Sequence, residues 1–235
     1  MKLLACLLLA ITPALAQIHA DSGPAIRSTL STAEFFTDVS GRPVFPGNYV
    51  DVSGTPFLQE DWQPAFAELN SGKKLAGLLV KLDLLKQELY YLDEQRKEMI
   101  AKKGVVRQLI FTEGTDSTTF RSGYPPAGAN TLATYYQVLA EGTVHLLKHQ
   151  RKVINETKRF NAATIERQFV LMEEYFLFDT RTQALTKIKK DKDSLLEALP
   201  DPQSQLKQHV ATAKYKFRKE EDLLRVVDFY NSMAN

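Results

Sequence analysis

Cysteine is all but absent, Cys6 being the only one in 235 residues. It falls in the N-terminal apolar stretch, so past that stretch the chain has no disulfide, no thiol nucleophile and no thiolate metal ligand. A surplus of one charge is missing too, with 30 Lys and Arg against 28 Asp and Glu. Such balance sets up no long-range field to draw in nucleic acid or an anionic bilayer. The basic runs at 148–152 and 187–192 lack interleaved aromatics and read as solvated faces. No apolar run approaches the roughly 20 residues needed to span a bilayer. There is also no G-x-S-x-G elbow, phosphate-cradling glycine loop or dinucleotide fingerprint.

What is present begins at the N-terminus. Met1-Lys2 leads into an apolar stretch at 3–11, the breaker Thr12-Pro13, and Ala14-Leu15-Ala16 before Gln17. A positive start, an apolar centre of about nine residues and a small-residue cleavage site are the parts of a secretory signal. Leu3-Leu4-Ala5-Cys6 has the outline of a lipoprotein box. Only Met1 and Lys2 precede it, which leaves no apolar centre to engage the export machinery. The expectation is an exported chain, periplasmic or extracellular, with 1–16 removed and no transmembrane anchor left behind.

Residues 17–61 are rich in Ser, Thr, Gly and Pro, yet carry Phe35, Phe36, Phe45, Tyr49 and Phe57. Five aromatics are too many for a linker, so the segment reads as a flexible start becoming an extended arm packed on the main body. In the section 62–190, Leu78, Leu82, Leu85, Leu89, Leu92 and Met99 recur at the spacing of a helical stripe. Against a long helix, short apolar segments alternate with the turn signals Asn70-Ser71-Gly72-Lys73 and Lys102-Lys103-Gly104, and the β-formers Tyr90-Tyr91, Val105-Val106 and Leu109-Ile110-Phe111 favour strands. The residues alone leave both readings open.

The run Gly54-Thr55-Pro56-Phe57-Leu58 with Asp61-Trp62, Val80-Lys81-Leu82-Asp83, Glu88-Leu89-Tyr90-Tyr91-Leu92 and Lys97-Glu98-Met99 resembles a family of uncharacterised exported proteins of the Bacteroidetes. Gly123-Tyr124-Pro125, Tyr135-Tyr136-Gln137-Val138-Leu139 with Glu141-Gly142, and the tail from Lys219-Glu220-Glu221-Asp222-Leu223 to Tyr230-Asn231 extend the resemblance over most of the chain. It implies an antiparallel β-meander of hairpins followed by C-terminal α-helices, an α+β fold, and no assigned activity.

The later part of 62–190 reads as hairpins in its own right: 134–140, a turn at Glu141-Gly142, 144–153, then 167–172, 175–178 and 184–189. Such a sheet is expected to keep one buried and one wet face. From 191 to 235 the period changes to helical. Leu195, Leu196 and Leu199 precede Pro200, Asp201 and Pro202 suit a helix start, Leu206, His209, Val210 and Ala213 form one stripe, and Glu220-Glu221-Asp222 opens a helix burying Leu223, Leu224, Val227 and Tyr230. These helices are expected to pack on the sheet.

Chemistry-bearing residues are sparse. Of the histidines 19, 145, 149 and 209, only His145 and His149 are close, and on a strand they stand about 13 Å apart at roughly 3.3 Å per residue, too far to share an ion. Paired carboxylates at Glu60-Asp61, Asp93-Glu94, Glu173-Glu174 and 220–222 read as solvated surface. No catalytic, cofactor or metal residue is nominated. Trp62, Tyr135, Tyr136, Tyr175 and Phe176 are the candidate binding surface, because adjacent aromatics on a strand put rings on both faces. The resulting expectation is a non-enzymatic envelope module that binds a protein or glycan, or serves structurally; the alternative is a hydrolase with an unrecognised carboxylate or histidine site. Expression in a secreting bacterial host should yield a protein beginning at Gln17, read by N-terminal sequencing; a product that retains Met1 would refute the export signal.

Overall fold

The computed structural model describes residues 32–44, 49, 51–113, 115–158, 165–200, 204–213 and 215–233. The signal at 1–16, His19, Phe45 and the Asp201-Pro202 helix start lie outside them. The described residues are mostly β with four helices: α1 (Thr32–Val39), α2 (Lys192–Ala198), α3 (Ser204–Thr212) and α4 (Glu220–Met233). The strands are β1 (Arg42–Pro43), β2 (Val52–Ser53), β3 (Gln63–Leu69), β4 (Lys74–Asp83), β5 (Glu88–Leu92) and β6 (Glu98–Ile100). They continue with β7 (Val106–Glu113), β8 (Asp116–Arg121), β9 (Tyr136–Ala140), β10 (Val144–Lys158), β11 (Ile165–Asp179) and β12 (Ala184–Ile188). No helix among the described residues is long and apolar enough to cross a membrane.

All twelve strands join one mixed sheet in the order β1-β6-β5-β4-β3-β7-β8-β9-β10-β11-β12, with β2 pairing parallel to β11. Consecutive hairpins run outward in both directions from a seam at β3 and β7, where Ala65 faces Phe111 and Ala67 faces Leu109. The leucine stripe is split among strands: Leu82 pairs with Leu89 across β4 and β5, and Met99 pairs with Tyr91 across β6 and β5. Its helical spacing follows from strand and turn lengths, because buried Leu78, Leu82 and Leu89 all serve one core face. β11 runs unbroken through Glu173-Glu174, where two strands were expected, because β10 supplies partners at Gln150 and His149.

One segment departs from its reading. The arm was expected to be flexible to extended, yet α1 is helical, since Phe35 and Val39, four apart, form a stripe buried in the core of β3, β4, β5 and β7. Phe36 also stacks on Tyr91, with centroids 5.6 Å apart. This tertiary contact outweighs the polar composition around it. The later arm is extended: Leu58 N donates to Leu82 O, and Leu84 N to Pro56 O.

The expectation of one wet face fails where β9 to β12 lie. On the inner face Val144, Leu146, Tyr175 and Leu177 pack beneath Leu195, Leu206, Leu223 and Val227 of the three C-terminal helices. On the outer face Leu147, Phe176 and Phe178 pack with Tyr124 and Tyr136, beside the segment that follows Tyr124. Both covers come from elements remote in sequence, so the strand pattern cannot announce them. The 148–152 run is likewise no solvated face. Lys148 Nζ meets Glu220 Oε2 at 2.8 Å, and Lys152 Nζ donates to the carbonyls of Thr55 and Phe57 at 2.8 and 2.6 Å.

Helix α4 is pinned by a side chain that mimics a strand. Asn231 Oδ1 accepts from Val144 N at 3.0 Å and its Nδ2 donates to Val144 O at 2.9 Å. Gly142 makes room for it, since a Cβ there would fall 2.5 Å from Asn231 Cγ. Replacing Asn231 orphans a buried N–H and a buried C=O together. Urea denaturation of Asn231→Ala should therefore show a loss of about 2–4 kcal/mol; a loss below about 0.5 kcal/mol would mean that the latch carries no weight.

Candidate functional site

The inner face has three zones: the α1 core, the helix-covered core and, between them, a cavity of about 400 Å³. Strand register places its walls. Leu109 faces Phe120, Phe120 faces Gln137 and Gln137 faces Lys148, so these side chains follow one another across β7 to β10 on one face. Phe111 and Thr118 are directly paired one step along. Gln63 enters from β3, and Gln150 from β10. The sheet curls until Lys152 N donates to Leu84 O at 2.9 Å, which brings Leu58 and Gln59 over the remaining side.

The described lining residues are all uncharged. Gln59, Gln63, Gln137 and Gln150 contribute amides, Thr112 and Thr118 hydroxyls, and Leu58, Pro64, Phe111 and Phe120 an apolar floor on which the two rings meet edge to face at 5.8 Å. Gln150 Oε1 is buried without a hydrogen-bond partner, while its Nε2 reaches Glu173 at 3.4 Å. A buried acceptor left bare costs about 1–3 kcal/mol, which a ligand hydroxyl or N–H would recover. The volume falls in the range of small-molecule sites, while the lining, six polar side chains against four apolar ones, is more polar than is usual for them.

The nominated aromatic surface is placed differently. Tyr135, Tyr136, Tyr175 and Phe176 are buried, none above 6 % exposed, and form no exposed patch. Tyr136 and Phe176 fill the outer-face core, whereas Tyr175 lies under the helices with its hydroxyl on Glu220 Oε2 at 2.8 Å. Tyr135 donates to Val106 O at 2.9 Å, and burial pushes its phenol well above the ordinary range. Trp62 is half-buried with Lys81 Nζ 5.0 Å from its ring centroid, immediately before the cavity-lining Gln63 and Pro64. The glutamines were missed because they become neighbours only through pairings between strands far apart in sequence.

The histidines separate as strand geometry requires. His145 lies beside Tyr124 and Phe178 on the outer face, its Nδ1 3.2 Å from the Tyr124 hydroxyl. His149 is nearly sealed, with Nδ1 3.6 Å from Glu174 Oε2 and 3.4 Å from Asn130 Nδ2. Its Nε2 has no partner. His209 stacks on Phe229 at 3.9 Å and meets the Tyr215 hydroxyl at 3.0 Å. No group of three or more His, Cys, Asp and Glu able to hold a metal ion occurs among the described residues. The paired carboxylates are not all solvated: Glu220 holds Lys148 and Tyr175, and Lys187 Nζ donates to Glu174 at 2.6 Å, a bond that holds the Glu174 carboxyl below the usual range.

Comparisons with protein-family models, with curated proteins and with solved structures each returned no match.

Burial depresses both His145 and His149 below the ordinary value of 6.5. A group whose folded pKa lies below its unfolded value binds its proton more readily in the unfolded chain. Its contribution is therefore complete above pH 6.5 and is lost as pH falls through the folded pKa. The melting temperature should fall between pH 7 and pH 5, and fall less in His149→Asn, as scanning calorimetry would show. Equal slopes for the two proteins would contradict a buried neutral imidazole.

Proposed function

We propose that this chain is an exported, non-enzymatic binding module of the cell envelope whose inner-face cavity takes an uncharged, hydroxyl-rich ligand of the short-glycan class. The observation that carries the reading is the buried, unpartnered Gln150 Oε1 in a cavity where four amides and two hydroxyls converge over an aromatic floor. A sugar presents C–H faces to such a floor and hydroxyl edges to such amides. A charged ligand would have to shed its hydration for neutral partners alone, at a large cost. The export address rests on the N-terminal pattern, and kinship with the exported Bacteroidetes family rests on the quoted motifs. In this reading the sheet is a pair of β-meanders, β3 to β6 and β7 to β12, built back to back.

A hydrolase is the competing reading, and His149 beside Glu174 is what favours it. The cavity supplies no titratable group among its described lining residues, so acid–base chemistry there lacks an actor.

Calorimetric titration with a panel of neutral di- and trisaccharides separates the two. Saturable binding without turnover is expected, weakened about tenfold or more in Gln150→Ala, a loss of about 1.4 kcal/mol. Unchanged affinity in Gln150→Ala, or release of reducing sugar by the wild type, would refute the proposal.

A further inference from the structure

The opposite face of the sheet holds a second cavity of about 390 Å³, bordered by Arg107, Arg121, Tyr124, His145, Asn70 and Gln183. We propose that it is an oxyanion site, taking the phosphate or carboxylate group of a small molecule.

A break in strand register builds it. Glu68 pairs with Gln108, but the next residue, Leu69, pairs with Val106, so Arg107 is an extra residue with no partner in β3. Val106 and Leu109 are both in the inner core, whereas Arg107 is exposed. Unbroken alternation would set Arg107 on the face of Leu109; the bulge turns its guanidinium outward. A strand that gives up a regular pair to re-aim one cation makes a feature of that side chain.

Arg121 supplies the second guanidinium, from the strand position opposite Gln108. Its Nε donates to Gln108 Oε1 at 2.8 Å and its Nη2 to Glu141 Oε1 at 2.9 Å. These bonds fix the fork while using two of its five N–H donors. Both guanidiniums act on the Tyr124 phenol, which is itself held against His145 Nδ1 at 3.2 Å. Glu141 answers one of the two positive charges. Among the described residues no ion pair holds Arg107, so the cavity keeps an unanswered cation beside phenol, imidazole and amide donors. A planar or tetrahedral oxyanion is the group that accepts from such an array, because guanidinium forks match it bidentately.

Calorimetric or NMR titration of the full chain at low ionic strength, with inorganic phosphate in one arm and acetate in the other, tests the site. Saturable binding is expected in at least one arm, and the tighter arm identifies the chemistry. Arg107→Gln should weaken it about tenfold or more with an unchanged melting temperature, because the side chain is exposed. Gln150→Ala, altered on the other face, should bind the anion as the wild type does. Absence of saturable binding in both arms, or equal affinity in Arg107→Gln, would overturn the assignment.

Discussion

The ladder between β10 and β11 is the constraint on which the rest of the molecule depends. Fifteen consecutive antiparallel pairs run from Val144 with Asp179 to Lys158 with Ile165, with no slip in register. Because side chains alternate, this ladder assigns Val144, Leu146, Lys148 and Gln150 to the inner face and His145, Leu147 and His149 to the outer one. The helices, the inner cavity and the contacts of Lys148 and Lys152 take their positions from that assignment. A slip of one residue would put Lys148 into the outer core and Leu147 against the helices.

The ladder also explains why two strand lysines are tolerated away from water. Each meets a partner delivered by a distant segment: Glu220 at the start of α4 for Lys148, and the carbonyls of Thr55 and Phe57 for Lys152. Burial lowers the Lys152 pKa, as expected for an ammonium in a low-dielectric setting. Glu220 additionally complements the positive end of the α4 dipole and accepts from Tyr175, so a single carboxylate ties helix to sheet at two points, Lys148 and Tyr175. Asp83 plays a related part at the β4 to β5 turn, where its Oδ1 accepts from Leu85 N and Lys86 N while burial drives its carboxyl upward.

The sequence was informative where structure is local. Asn70-Ser71-Gly72-Lys73 and Lys102-Lys103-Gly104 mark turns, and Leu195 and Leu196 fall in α2 where the helical period was read. The 3.6-period stripe at 78–99 conflicts with the turn signals around it, so that stretch of residues is compatible with helix or strand until its pairings are known. What stayed hidden is long-range. Coverage of Tyr136 and Phe176 depends on the segment after Tyr124, and burial of Phe35 on strands that begin only at Gln63. Gln63, Thr118, Gln137 and Gln150 look like ordinary polar strand positions until the registers of β3, β8, β9 and β10 align them. The bulge at Arg107 leaves no trace in composition, since it concerns two pairings and not two residue types.

The seam at β3 and β7 carries a kinetic consequence. Most hairpins on either side close over a few residues, but Leu69 reaches Val106 only after β4, β5 and β6 have been threaded out and back. Closing that loop costs chain entropy before any seam contact repays it, so the nucleation barrier concentrates there. The half-sheet from β3 to β6 can therefore form early and wait with an open edge, and until β7 docks that edge is the part of the chain most exposed to pairing with another chain.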